Sequence, residues 1–100
     1  MKVNVHAVNF NIDKKLVDFI DERMNKLEKY YDKLISSDAF LKVENISEKE
    51  NKTVELKVLV PGDDFIVKKH SKSFEEAADL AIESLERLLV KRKEKLRPHS

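Results

Sequence analysis

The chain contains no cysteine, a single glycine, Gly62, and only two prolines. Without cysteine there is no disulfide framework and no thiolate metal site, so nothing points to an oxidising compartment. One glycine excludes a glycine-rich phosphate loop, and it also excludes a nucleophile elbow, whose serine needs flanking glycines. No apolar run approaches the roughly 18 residues of a membrane span. The start, Met1 to His6, lacks the apolar stretch of a signal peptide. A cytoplasmic protein without a membrane partner is therefore expected. The three histidines, His6, His70 and His99, are scattered and have no partners at metal-ligand spacing. We expect no metal, no cofactor, no small-molecule substrate and no catalytic residue. Asp63-Asp64 reads as part of a turn, Pro61 to Asp64.

What is present is charge in near balance. Of 100 residues, 39% are charged and 41% hydrophobic, and the formal net charge is only +1. Such a charge fraction can signal disorder, but the charges cancel and the apolar residues are strongly periodic, which favours folding. The length suits one core, hence a single domain over residues 1–100. Val3, Val5 and Ala7 alternate with Asn4, His6 and Val8 in a first strand ending near Phe10. Asp13 is a helix N-cap, and Leu16, Ile20, Met24, Leu27, Tyr31 and Leu34 form the stripe of a helix about 35 Å long. Ser36-Ser37-Asp38 is expected to end it. Three strands follow, Phe40 to Ser47, Thr53 to Val60 and Phe65 to Ser71, with Val54, Leu56, Val58 and Val60 giving the clearest period of two. Ser73 caps a second helix, Phe74 to Leu96, with an inner stripe of Phe74, Ala77, Ala81, Leu85, Leu88 and Leu89, and Pro98 marks its end.

The order is β-α-β-β-β-α. Burying two helical stripes and one sheet face together predicts an α+β two-layer sandwich, with both helices on one face of a four-stranded sheet. The first helix makes a parallel crossover, and the two later turns suit antiparallel hairpins.

The second helix is also polar along its length. Glu75, Glu76, Asp79, Glu83 and Glu86 give way to Arg87, Lys91, Arg92, Lys93, Lys95 and Arg97, interrupted only by Glu94. Complementing the helix dipole explains two or three such residues at a few tenths to about 1 kcal/mol each. It explains poorly six bases in eleven positions, whose mutual repulsion exceeds what capping requires. Arg87, Lys91 and Lys95 share a face, and Arg92 and Lys93 widen it. The first helix repeats the pattern more weakly through Arg23, Lys26, Lys29 and Lys33, where pairing with nearby acids is the simpler reading. If the helices lie side by side, their basic halves form two banks of one groove, with Tyr30 either an exposed ring there or a rim of the core. On the fourth strand, Lys68, His70 and Lys72 fit a solvated sheet face, and Lys69 shares the face of Phe65 and Val67 and fits a side chain snorkelling at an edge.

The stretches Lys26-Leu27-Glu28-Lys29-Tyr30-Tyr31-Asp32-Lys33, Leu41-Lys42-Val43-Glu44, Ala77-Ala78-Asp79, Leu85-Glu86-Arg87 and Lys91-Arg92-Lys93-Glu94-Lys95-Leu96 resemble the short ribosome hibernation promoting factors. The resemblance spans nearly the whole chain. It implies a double-stranded-RNA-binding-like fold and a translation inhibitor that binds the small ribosomal subunit and its ribosomal RNA, blocking the messenger and transfer RNA sites. By position, it implies that Arg23, Lys26, Arg87, Lys91 and Lys93 meet RNA phosphates, with Arg92 and Lys95 extending that surface. Asp79 also falls on a motif position, where orienting neighbouring basic side chains or a structural hydrogen bond is its expected role. The chain departs from the family at Ser73-Phe74-Glu75, Ser84 and Lys69. Whether a second factor cooperates in pairing ribosomes stays open. Two other readings stand beside this one: a general double-stranded-RNA binder, and a protein-interaction module that uses the sheet face or an edge strand.

Overall fold

The computed structural model describes residues 2–44 and 51–95. In chain order the elements are β1 (Val3–Val8), α1 (Lys14–Asn25), a 3₁₀ turn over Lys26–Lys29, β2 (Ser36–Val43), β3 (Lys52–Val60), β4 (Asp63–Ser71) and α2 (Phe74–Lys95). The strands form one sheet in the order β1-β2-β3-β4. β1 runs parallel to β2, with Val3 opposite Ser37 and Ala7 opposite Leu41, as the α1 crossover requires. β2–β3 and β3–β4 are antiparallel. Both helices pack on the same side of the sheet, so the α+β sandwich expected from the residue pattern is the fold observed.

Alternation divides the sheet. Val54, Leu56, Val58 and Val60 of β3 point into the core, beside Ala39 and Leu41 of β2 and Val67 of β4. Ile20, Met24 and Leu27 meet them from one helical segment, and Ala77, Ala81, Leu85 and Leu89 from the other. The small side chains of Ala77, Ala78 and Ala81 are fully buried, which lets the first half of α2 lie close to its neighbours. The caps are those the sequence predicts. Asp13 accepts from the Lys15 amide at 3.1 Å, and Ser73 Oγ accepts from the Glu76 amide at 3.1 Å. Phe10 stacks on Phe74 with ring centroids 5.0 Å apart, tying the β1–α1 connection to the start of α2.

Several details differ from the sequence reading. The first helix does not continue to Leu34: it stops at Asn25, whose side-chain amide donates to the Asp21 carbonyl at 2.8 Å. Such a side-chain bond competes with the backbone ladder, and the chain tightens into the 3₁₀ turn while Leu27 and Tyr31 stay buried. Ser36-Ser37-Asp38 is not a helix stop but the beginning of β2, because small Ser37 fits the core face opposite Val3 while Asp38 lies 3.2 Å from His6 on the open face. Asp63 and Asp64 belong to β4, and the turn is only Pro61-Gly62. Leu88 is exposed, and Ala78 and Ile82 join the buried stripe in its place. β2 ends at Val43 rather than continuing through Glu44; the rest of its expected extension to Ser47, and Arg97 and Pro98 after α2, lie outside the described residues.

Gly62 has φ = 80° at the second central position of that turn, a conformation that costs an L side chain roughly 1–2 kcal/mol. A Cβ built there would meet nothing closer than Arg92 Nη2 at 3.8 Å, so the space is free and only the backbone resists. Gly62→Ala is therefore expected to lower stability by about 1 kcal/mol, read as a shift of the urea midpoint without a change in slope.

Candidate nucleic-acid interface

Seven cationic side chains are expected at an RNA-facing surface from the sequence, Arg23, Lys26, Arg87, Lys91, Arg92, Lys93 and Lys95, and the fold sorts them by what they touch. Arg92 is tied into the protein. It is 23% exposed, donating through Nη1 to Asp63 at 2.9 Å and through Nη2 to the Pro61 carbonyl at 3.0 Å. It clamps the β3–β4 turn to the end of α2, so much of its donor fork faces protein. Arg23 reaches from α1 to Asp79 of α2 at 3.3 Å and lies over the Phe19 ring, 4.9 Å from its centroid. Asp79, at its motif position, thus pairs with a neighbouring basic side chain. Lys26 pairs with Glu22 at 3.6 Å and Arg87 with Glu83 at 3.3 Å, both exposed one-turn pairs that contribute under about 1 kcal/mol and exchange readily for a phosphate.

Lys91, Lys93 and Lys95 are different. All three are exposed on the last turns of α2, and among the described residues none has a carboxylate within ion-pair distance. Three uncompensated ammonium groups within five positions repel one another unless an anion lies against them. They also lie on two sides of the helix. Lys91, Arg92 and Lys95 border a cleft with Asp63, Phe65 and Leu88 toward β4. Lys93 borders another, with Val90, Glu94, Lys29 and Tyr30, toward the end of the first helical segment.

That second cleft joins the two basic stretches. Arg23 meets Asp79 near the start of α2, and Lys29 and Tyr30 meet Val90, Lys93 and Glu94 near its end. One cation from each of the two banks expected from the sequence, Lys29 and Lys93, thus borders a shared cleft. Lys29, which the sequence reading assigned to surface pairing, has no carboxylate partner among the described residues. Its membership of the basic surface had no signal in the sequence beyond the cluster of four cations in which it sits. Lys68, by contrast, lies on the open sheet face opposite Glu55 and 3.8 Å from Glu44, so a solvated, paired role suffices for it. Lys69 and Lys72 are exposed and lie away from these clefts.

Among the described residues there is no group of three or more acids and histidines able to hold a metal ion, and no helix is long and apolar enough to cross a membrane.

Comparison with known proteins bears on the family and the fold of the chain. Residues 3–97 match the family described as Sigma 54 modulation protein / S30EA ribosomal protein. A ribosome hibernation promoting factor of Escherichia coli K12 is 29% identical over 99 residues, covering 99% of this chain and all of that protein. One from Azotobacter vinelandii is 27% identical over 95 residues, covering 95% of this chain and 85% of that one. The ribosome hibernation promotion factor of Bacillus subtilis is 29% identical over 98 residues, covering 96% of this chain and only 50% of that longer protein. In three dimensions the chain resembles a ribosomal subunit interface protein from Coxiella burnetii, with a TM-score of 0.81 at 19% identity over 93% of this chain and 98% of that one. It also resembles the Protein Y N-terminal domain of Thermus thermophilus, with a TM-score of 0.78 at 19% identity over 92% and 99%. These two likenesses bear on the fold, whereas the match over residues 3–97 bears on descent: the chain is a member of the Sigma 54 modulation protein / S30EA ribosomal protein family.

Proposed function

We propose that this protein is a ribosome hibernation factor that binds the small ribosomal subunit through the basic end of its helical layer and inhibits translation by occupying the path of messenger and transfer RNA. The observation that carries the reading is the group of lysines Lys91, Lys93 and Lys95 on α2, joined by Lys29, none of them paired with a carboxylate among the described residues, in a chain whose relatives are named ribosome hibernation promoting factors. The mechanism is occlusion and needs no covalent step. α2 has 22 residues and so is about 33 Å long. Laid against an RNA wall, it presents its ammonium groups to phosphates at one end. The acidic first half, Glu75 to Glu86, repels RNA elsewhere and so favours one orientation. Arg23, Lys26 and Arg87 add contacts by exchanging an exposed carboxylate for a phosphate.

Co-sedimentation with separated ribosomal subunits tests this. Four to seven phosphate contacts predict that affinity for the small subunit falls on the order of 10²–10⁴-fold between 50 and 200 mM salt. Saturable binding to the small subunit, with that salt dependence and resistant to a plain RNA duplex, is the expected result. Easy displacement by duplex would instead favour general recognition of A-form RNA, and absence of ribosome binding would overturn the proposal.

A further inference from the structure

The cleft between the 3₁₀ turn and the end of α2 holds two features that phosphate binding leaves unused: an exposed aromatic ring and a carboxylate. Its lining is Lys29, Tyr30, Val90, Lys93 and Glu94, around about 490 Å³ of open space. Tyr30 is 42% exposed while its neighbour Tyr31 is 5% exposed, so the chain has buried one ring and left the other at the cleft. Glu94 is the one acid among the last basic residues of α2, and it has no cationic partner among the described residues. Against a phosphate wall such a carboxylate is unfavourable. Against the edge of a nucleobase it is an acceptor in want of donors.

We infer that this cleft binds one unpaired RNA base, stacked on the Tyr30 ring, with Lys29 and Lys93 on the flanking phosphates and Glu94 accepting hydrogen bonds from the base edge. Guanine fits best, because its N1–H and N2–H groups lie side by side and match the two oxygens of a carboxylate. Adenine offers no such pair. Unstacked bases are the parts of RNA that proteins read by aromatic stacking and by Watson–Crick-edge hydrogen bonds, whereas a duplex keeps those edges paired. Stacking on an aromatic ring tolerates any base and supplies affinity, while the carboxylate supplies the choice. The inference rests on the RNA-binding reading above and adds to it a single-stranded target and a base preference.

The chain has no tryptophan and two tyrosines, so in a Tyr31→Phe background tyrosine fluorescence reports on Tyr30 alone. Titration with the pentanucleotides UUGUU and UUAUU at low salt is expected to quench it saturably, with UUGUU bound about tenfold more tightly. Glu94→Gln is expected to abolish that preference. In subunit co-sedimentation, Tyr30→Leu is expected to weaken binding about tenfold and Tyr30→Phe to leave it unchanged, with thermal unfolding of both close to that of the unmodified chain. Equal binding of the two pentanucleotides, or unaltered subunit binding by Tyr30→Leu, would overturn the base-binding cleft. If at the same time subunit binding by the unmodified protein keeps its steep salt dependence, only the cleft assignment falls. If the unmodified protein binds no small subunits, the interface and the cleft fall together.

Discussion

Replacing Lys91 and Lys93 together by glutamate is expected to weaken binding to the small ribosomal subunit by on the order of 100-fold near 100 mM salt, and to lower the salt slope by about two. Each lysine is exposed and unpaired among the described residues, so its removal leaves no carboxylate without a partner. The reversal also replaces mutual repulsion at the end of α2 with pairing opportunities for Lys95 and Lys29. Thermal unfolding should therefore shift by no more than a few degrees. Lys91 and Lys93 lie on different sides of α2, toward β4 and toward the first helical segment respectively. Comparing the two single variants then tells which side carries more of the contact. Affinity left intact in the double variant, measured by co-sedimentation at two salt concentrations, would refute the assignment of the interface to this helix end.

The largest loss of stability is expected from Leu85→Ala. Leu85 is fully buried midway along α2, in the cluster that joins the helix to β3 and β4. Truncation removes transfer free energy and leaves a cavity that the surrounding β-branched and alanine side chains cannot collapse to fill, so the cost is about 3 kcal/mol, within the range typical of buried leucine. For a domain of this size that corresponds to a fall of roughly 10–20 °C in Tm. Below its transition the variant should bind small subunits with nearly unchanged affinity, because the basic end is untouched. The two substitutions thus separate what holds α2 in place from what α2 presents. A Leu85→Ala variant that stayed folded yet lost binding would mean that the position of the basic end, and not its charge alone, sets the affinity.

Much of the fold was legible because its signals are local. β3 alternates over Val54, Leu56, Val58 and Val60, and all four are buried. Asp13 and Ser73 cap the helices they precede, and Pro61-Gly62 makes the turn that its glycine permits. The end of α1 was not legible. A stripe of Ile20, Met24, Leu27 and Tyr31 reads as one helix, yet the same side chains stay buried when the backbone tightens after Asn25. Apolar spacing reports which residues face the core, not which hydrogen bonds carry them there. β2 began earlier than its polar first residues suggested, since a serine on the core face looks like a turn residue until its neighbours Val3 and Val58 are known.

The candidate site divides in the same way. Sequence alone determined that α2 is acidic at its start and basic at its end, that Arg87, Lys91 and Lys95 share a helical face, and that the residues around them carry a family resemblance, which the match over residues 3–97 bears out. Only the tertiary structure decided which cations are free. Arg92 is held by Asp63, 29 residues away, and Arg23 by Asp79, 56 residues away, while Lys29 and Tyr30 are brought beside Lys93 and Glu94 by the packing of the two helical segments. Periodicity along one chain determines the face on which a side chain lies, because backbone geometry is local and repeats every few residues. The partner it finds on that face depends on contacts between elements distant in sequence, and exposed pairs worth under about 1 kcal/mol leave no pattern from which they could be read.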